Sequence, residues 1–302
     1  MMYTGEMAAL PAAGFWAVAT FMFAAAGQKL SAIQLNIAKG VIASILLGLC
    51  AVILGKIPAE VFTMQSFYLG LSGILGITIG DTAFFGALSR IGPRRALLIE
   101  SLTPPLTGLI ALVAIQEQLS WSAWGGVFIT VIGVTSVVLE RSQPGETHVA
   151  ADVFKVGIIL AIVASICQAT GVVIAHIVLV DHEMEPLWAA FIRLAAALTG
   201  LLIAGSFMPT RGAKELAQNI KARAFSRKLW VMVFWATIMG TFFGLWLQQI
   251  SLKYTSAAIA QTLLSTSPLF ALAIAKVRGE KLSPRAIGGT LVALVGIYLL
   301  TQ

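Results

Sequence analysis

The chain has 302 residues, 58% of them hydrophobic and only 11% charged, with a mean hydropathy of +0.91. Soluble domains carry about 25% charged residues, so a water-exposed globule is excluded; a surface facing lipid tolerates such a deficit. The net charge of +7 does not signal nucleic acid, because the basic residues sit in short loops between apolar runs and no basic, aromatic-interleaved segment exists.

From the N-terminus, no basic region precedes the first apolar run, so no removable signal peptide is expected. A spanning helix needs about 20 mostly apolar residues. That ruler predicts helices over residues 11–30, 33–54, 66–88, 95–115 and 121–139, then 153–180, 186–207, 229–252, 256–277 and 284–300. The runs are continuously apolar rather than alternating, which excludes barrel strands. Most connections are short and force neighbours antiparallel. Residues 141–152 (RSQPGETHVAAD) are polar with Pro and Gly and read as a linker. Residues 209–228 are basic and suit a short surface helix carrying Lys214, Lys221 and Lys228. Cys50 and Cys167 fall inside apolar runs and predict neither a disulfide nor a metal site.

The chain repeats itself. An offset of 163 places Pro105 on Pro268, Glu117 on Glu280, Gly125–Gly126 on Gly288–Gly289, and Gly133 on Gly296. An offset of 164 places Gly76 and Gly80 on Gly240 and Gly244; further forward, Gly14 matches Gly157 and Lys39 matches Arg193. The expected fold is therefore an all-α membrane protein of ten spanning helices in two five-helix repeats, residues 1–140 and 153–302. Five is odd, so the second repeat runs the opposite way through the bilayer, an architecture common in secondary transporters.

All but four of the 20 Lys and Arg lie in or beside odd-numbered connections. Lys56 and Lys253 lie on the other side, and Lys39 and Arg193 lie within helices. The positive-inside rule then puts the odd connections in the cytoplasm and both termini outside an inner cell membrane.

Charges at membrane depth mark functional candidates. There are four, Lys39, Asp81, Glu100 and Arg193, and they sum to zero. Asp81 is the deepest, with Phe84, Phe85 and Leu88 following on its face; it reads as a site for a substrate amine or a proton, or as a partner for a cation. Glu100 shares a helical face with Thr103 and Thr107 at i+3 and i+7, a polar stripe suited to a cavity; a first-turn acid beside Arg94 and Arg95 is the alternative. Lys39 and Arg193 either snorkel or act as an equivalent pair. Gln168, Gln248, Gln249 and Gln261 are amides that need partners, whether another helix or a polar substrate. Pro104, Pro105 and Pro268 fall mid-helix, where proline frees a carbonyl and bends the helix, and they are candidate hinges. Trp121, Trp124 and Trp230 sit at run ends as interfacial anchors, and His176 reads as interfacial.

The segments ALSRIGPRRALLIESLTPPLTGLIALVAIQEQLS and QISLKYTSAAIAQTLLSTSPLFALAIAKVRGEKLS resemble the drug/metabolite transporter superfamily, specifically EamA-type ten-helix permeases. Each carries Pro-Leu in the fourth helix of its repeat, an acid before Leu-Ser, and then a Gly-rich fifth helix. The first repeat departs from the family pattern with Gln116-Glu117, while the second keeps Gly279-Glu280. The resemblance covers nearly the whole chain. It implies alternating access around a central cavity and transport, exporters of amino acids and other metabolites being among the members, with the bilayer and a small molecule as partners. A proton is the candidate coupling ion, and the transport unit is a monomer or homodimer. No cofactor, metal or nucleic acid is expected. Phosphate-loop, G-x-S-x-G and H-E-x-x-H signatures are absent, so the chain is not expected to be an enzyme; a lipid-handling membrane protein or enzyme is the alternative.

Overall fold

The computed structural model describes residues 4–56, 63–114, 120–138, 150–181, 184–207, 216–218, 220, 226–255, 257–279 and 283–300. The predicted linker over 141–149, most of the predicted basic helix over 209–228, and Gln116, Glu117 and Glu280 lie outside them.

The described residues are helical throughout their ordered elements, with no strand. In the first half these are α1 (Thr4–Ala26), α2 (Ala32–Ile53), α3 (Met64–Gly73), a π-helical segment π1 (Ile74–Asp81), α4 (Thr82–Glu100), α5 (Thr103–Ala114) and α6 (Trp121–Val138). In the second half they are α7 (Ala151–Asp181), α8 (Pro186–Ser206), α9 (Arg227–Thr237), π2 (Ile238–Phe243), α10 (Gly244–Tyr254), α11 (Ala257–Leu264), α12 (Ser267–Val277) and α13 (Pro284–Leu300). Seven stretches are long and apolar enough to cross a membrane, and the fourth and fifth helices of the first half and the last helix are shorter apolar rods. Large apolar side chains point outward along them, Ile45, Leu49, Val52 and Ile53 of α2 among them, which is the surface a bilayer solvates.

Local chemistry sets the boundaries. Ser31 caps α2 in a reciprocal box with Gln34; Thr63 and Ser226 cap α3 and α9. α7 begins at Ala151, two residues before the predicted start, and Asp152 in its first turn suits the positive end of the helix dipole. The third and fourth predicted helices adjoin without a loop. They are divided at Gly92, whose φ of 77° only glycine adopts without strain, followed by Pro93.

The halves interlock. α7 packs along π1 and α4, and α1 packs along α9, π2 and α10, so the first helix of each half lies against the third helix of the other. The two fifth helices meet in a self-complementary seam. A Cβ on Gly133 would stand 2.4 Å from Ala293 N and 2.7 Å from Gly289 O; one on Gly296 would stand 2.4 Å from Thr130 N and 2.7 Å from Gly126 O. Each contact is the image of the other under the repeat offset, which is how a two-fold axis makes an interface. With five crossings per half, that axis relates two inverted repeats, as predicted.

One end of the bundle is stitched. Lys56 pairs with Glu185 at 3.6 Å, Lys253 Nζ donates to Met184 O at 3.1 Å, and Thr255 Oγ1 donates to Glu6 at 3.2 Å. The opposite end, carrying Lys29, Arg90 and Val153, holds a vestibule of about 760 Å³.

Candidate functional site

The two π segments start at residues 74 and 238, the repeat offset of 164 apart. A π turn inserts one residue into a helix and frequently accompanies function. In each segment a side chain from another helix engages a backbone carbonyl. Asn36 Nδ2 donates to Ile77 O and to Thr82 Oγ1, both at 2.9 Å, and Trp16 Nε1 donates to Gly240 O at 2.7 Å. The repeated glycines earn their places by close approach. A Cβ on Gly244 would collide with the Trp16 ring at 2.5 Å, and one on Gly240 with Ala19 at 2.6 Å.

Between the π segments lies a cavity of about 80 Å³, bounded by both halves. One water needs roughly 10–15 Å³ on this measure, so the cavity holds several waters or a very small solute. Lys39, Asp81, Glu100, Gln168, Arg193 and Gln248, all predicted site residues, line it. Trp16, Thr20, Phe23, Phe84, Phe85, Leu97 and Thr241 complete much of the wall. A smaller chamber of about 20 Å³ shares Trp16, Leu97, Glu100 and Gln168 with it and adds Thr103, Gln261 and Pro268.

Lys39 and Asp81 form a salt bridge, so Asp81 is a cation partner in this conformation. Lys39 Nζ also lies 5.0 Å from the centroid of the Phe85 ring, within reach of a cation–π attraction. Lys39 therefore turns inward rather than snorkelling. Arg193, its repeat equivalent, is fully buried at 0% exposure, and its Nε and Nη1 have no hydrogen-bond partner among the described residues. Gly76 makes room for it. A Cβ there would stand 3.4 Å from Arg193 Nη2 and 3.2 Å from Gln168 Oε1.

The helix carrying Glu100 is broken, which corrects the continuous face expected for Glu100, Thr103 and Thr107. α4 ends at Glu100 and α5 restarts at Thr103. The second half has the matching break, with α11 ending at Leu264 and α12 starting at Ser267. Pro104, Pro105 and Pro268 thus lie in the first turns of new helices, where a missing N–H costs nothing, rather than kinking unbroken ones. Thr103 still reaches the smaller chamber, and the hydroxyls of Thr103 and Thr107 are buried without partners among the described residues. Pro104 and Pro105 lie outside both chambers. Gln249 is fully buried away from the cavities, whereas Gln248 faces the larger one; neither amide has a partner among the described residues. His176 Nδ1 lies 2.9 Å from Leu252 O and joins α7 to α10.

Sequence reasoning missed Trp16, Thr20, Asn36 and Thr241. Of these, Asn36 was legible as an amide within the second apolar run, three residues before Lys39, since an amide at that depth needs a partner.

The cavity meets the vestibule at Phe85, which lines both. Phe85 packs edge-on against Phe23, a residue of the cavity wall, at 5.2 Å between ring centroids.

Comparison with known proteins gives the same architecture. The profile described as the EamA-like transporter family matches twice, over residues 3–139 and 155–302. A protein of known crystal structure superposes with a TM-score of 0.70 at 16% identity, covering 100% of this chain and 97% of its own; at that identity the likeness is one of fold. No curated protein matches the sequence.

Proposed function

Because the chain belongs to the EamA-like transporter family, and so is a multi-pass membrane transporter of the drug/metabolite superfamily, we propose that it exports a small polar or amphipathic metabolite, such as an amino acid, by alternating access. The observation that carries this reading is a polar cavity at the junction of the two halves, lined by the chain's four intramembrane charges. Residues 1–140 and 153–302 are the two moving units, with 141–152 joining them.

The direction of transport rests on the ends of the bundle. The vestibule lies at the Lys29 and Arg90 end, which the positive-inside rule assigns to the cytoplasm of an inner membrane, with both termini outside. The Lys56–Glu185 end is held shut. Cargo enters the vestibule, passes Phe85 and reaches the charged cavity. Separation of the stitched contacts then releases it outward.

Glu100 is the coupling residue in this reading. Asp81 is engaged by Lys39, whereas Glu100 lines both chambers and has no ion pair among the described residues. It exchanges a proton as the units rock. One chain encloses the cavity, so a monomer suffices, and a homodimer would place two such pathways side by side. The family's members are transporters, which fits a chain that is not an enzyme.

The test is flux in proteoliposomes with a pH gradient. Asp81→Asn and Glu100→Gln are expected to lower transport by at least about tenfold, the scale of losing one charge-assisted contact. Glu100→Gln should also flatten the pH dependence. Unchanged flux and pH dependence in both variants would remove the carboxylates from the mechanism. Mass spectrometry of the recovered cargo separates transport from lipid or enzyme chemistry, since transport returns it unaltered.

A further inference from the structure

The four cavity charges are not equivalent. Lys39 and Asp81 neutralise each other across α2 and π1. Arg193, on α8, is buried more deeply than either of them. At the positions matching Asp81 and Glu100, the second half carries Leu245 and Leu263, so the repeat that supplies Arg193 supplies no acid to meet it. Its Nε and Nη1 are shielded from solvent and have no partner among the described residues, yet the side chain lines the cavity. A buried cation without a partner costs stability, and a charge at membrane depth marks function.

We propose that the Arg193 guanidinium is an oxyanion subsite and that the cargo carries a carboxylate which completes it. The inference rests on the transport reading for its cargo and adds the chemical class and the residue. A planar, permanently charged guanidinium with free N–H donors suits the two oxygens of a carboxylate. Gln168 lies beside it over Gly76 and supplies a further polar contact. Across the same cavity lies the carboxyl group of Glu100. Phe84, Leu97 and Leu245 give part of the remaining wall an apolar face. The arrangement fits a small zwitterion with its carboxylate on Arg193, its ammonium toward Glu100 and a short apolar remainder. A carboxylate docked there gives the guanidinium the hydrogen-bond acceptor that it lacks among the described residues.

The experiment compares matched ligands on the purified full chain in detergent, using melting temperature as the readout. The probes are the standard amino acids, their carboxamides and short monocarboxylates. Carboxylate-bearing probes are expected to raise the melting temperature and their carboxamides are not. R193M is expected to melt higher than the parent without ligand, because buried N–H donors without acceptors are gone, and to lose the ligand-induced rise. R193K should keep the rise with affinity weakened about tenfold, since a point charge replaces a planar fork. Equal protection by carboxamides, or no protection by any carboxylate, would overturn the subsite, and neither result depends on a variant folding. R193M melting lower with binding intact would make Arg193 a structural residue and also overturn it. Counterflow of a carboxylate-free solute in proteoliposomes would refute the subsite while leaving transport standing; carboxylate protection without any flux would do the reverse.

Discussion

The two halves of this molecule share a backbone and diverge in their polar chemistry. Both bend through a π segment at the same repeat position, and both break the fourth helix before the prolines. In the first half the intramembrane cation, Lys39, has its acid at the end of the adjoining π segment. In the second half the cation is Arg193, the matching position is Leu245, and the cation is left unpaired among the described residues. Duplication thus conserved the mechanical parts, and one polar pair was kept in only one copy. A perfectly symmetric pocket would bind a cargo equally well in two opposed orientations; this asymmetry gives it one.

The comparison is open to attack, beginning with the two largest effects. Lys39→Met leaves the partly buried Asp81 without its cation and should destabilise the fold by about 2–3 kcal/mol, below the range for a fully buried pair, whereas Lys39→Met with Asp81→Leu should recover most of the loss. Unfolding of both variants in detergent checks this, and equal losses would show that the pair does not act as one. Next are the positions where the third helices differ. Gly73 approaches α8 so closely that a Cβ would stand 2.0 Å from Arg193 O, while its equivalent, Thr237, is buried and bonded to Val233 O. Gly73→Thr should cost about 3 kcal/mol, the upper range for overpacking, and Thr237→Gly nearer 1 kcal/mol from helix propensity.

The carbonyl contacts of the π segments follow. Asn36→Leu deletes two bonds in the first half and should cost about 2 kcal/mol; Trp16→Phe deletes one in the second and should cost about 1 kcal/mol. A reversed order would mean that the second π segment carries more of the fold than the first. The smallest effect belongs to the exposed Lys56–Glu185 pair. Glu185→Gln should change stability by less than about 1 kcal/mol, yet raise accessibility of the Lys56 end to a membrane-impermeant thiol reagent in a Tyr254→Cys background, Tyr254 being exposed at that end. No change in labelling would free that pair of any part in closing the end.

The repeat was legible because glycine, proline and acid positions recur at fixed offsets, and the ten rods because lipid demands unbroken apolar runs. Lys39, Asp81, Glu100 and Arg193 stood out because charge is scarce in such runs, and the cavity gathers all four. The π segments were hidden because an inserted residue among Ile, Leu and Gly leaves hydropathy unchanged. The break after Glu100 was hidden because Ser101 and Leu102 carry no turn chemistry of their own; the prolines marked the place but suggested a kink in a continuous rod. Trp16 and Thr20 escaped notice because their role depends on α1 crossing to the opposite half, a tertiary fact absent from local sequence.

The stitched end holds one more implication. Among the described residues its polar contacts include an exposed ion pair and the hydrogen bonds of Lys253 and Thr255, each worth about 1 kcal/mol or less when solvated. A cargo can move such an equilibrium only by its differential affinity for the two states. In the transport reading, the cargo's differential affinity has to offset these polar contacts together with the apolar packing of Val178, Leu179, Met184 and Leu252 at the same end.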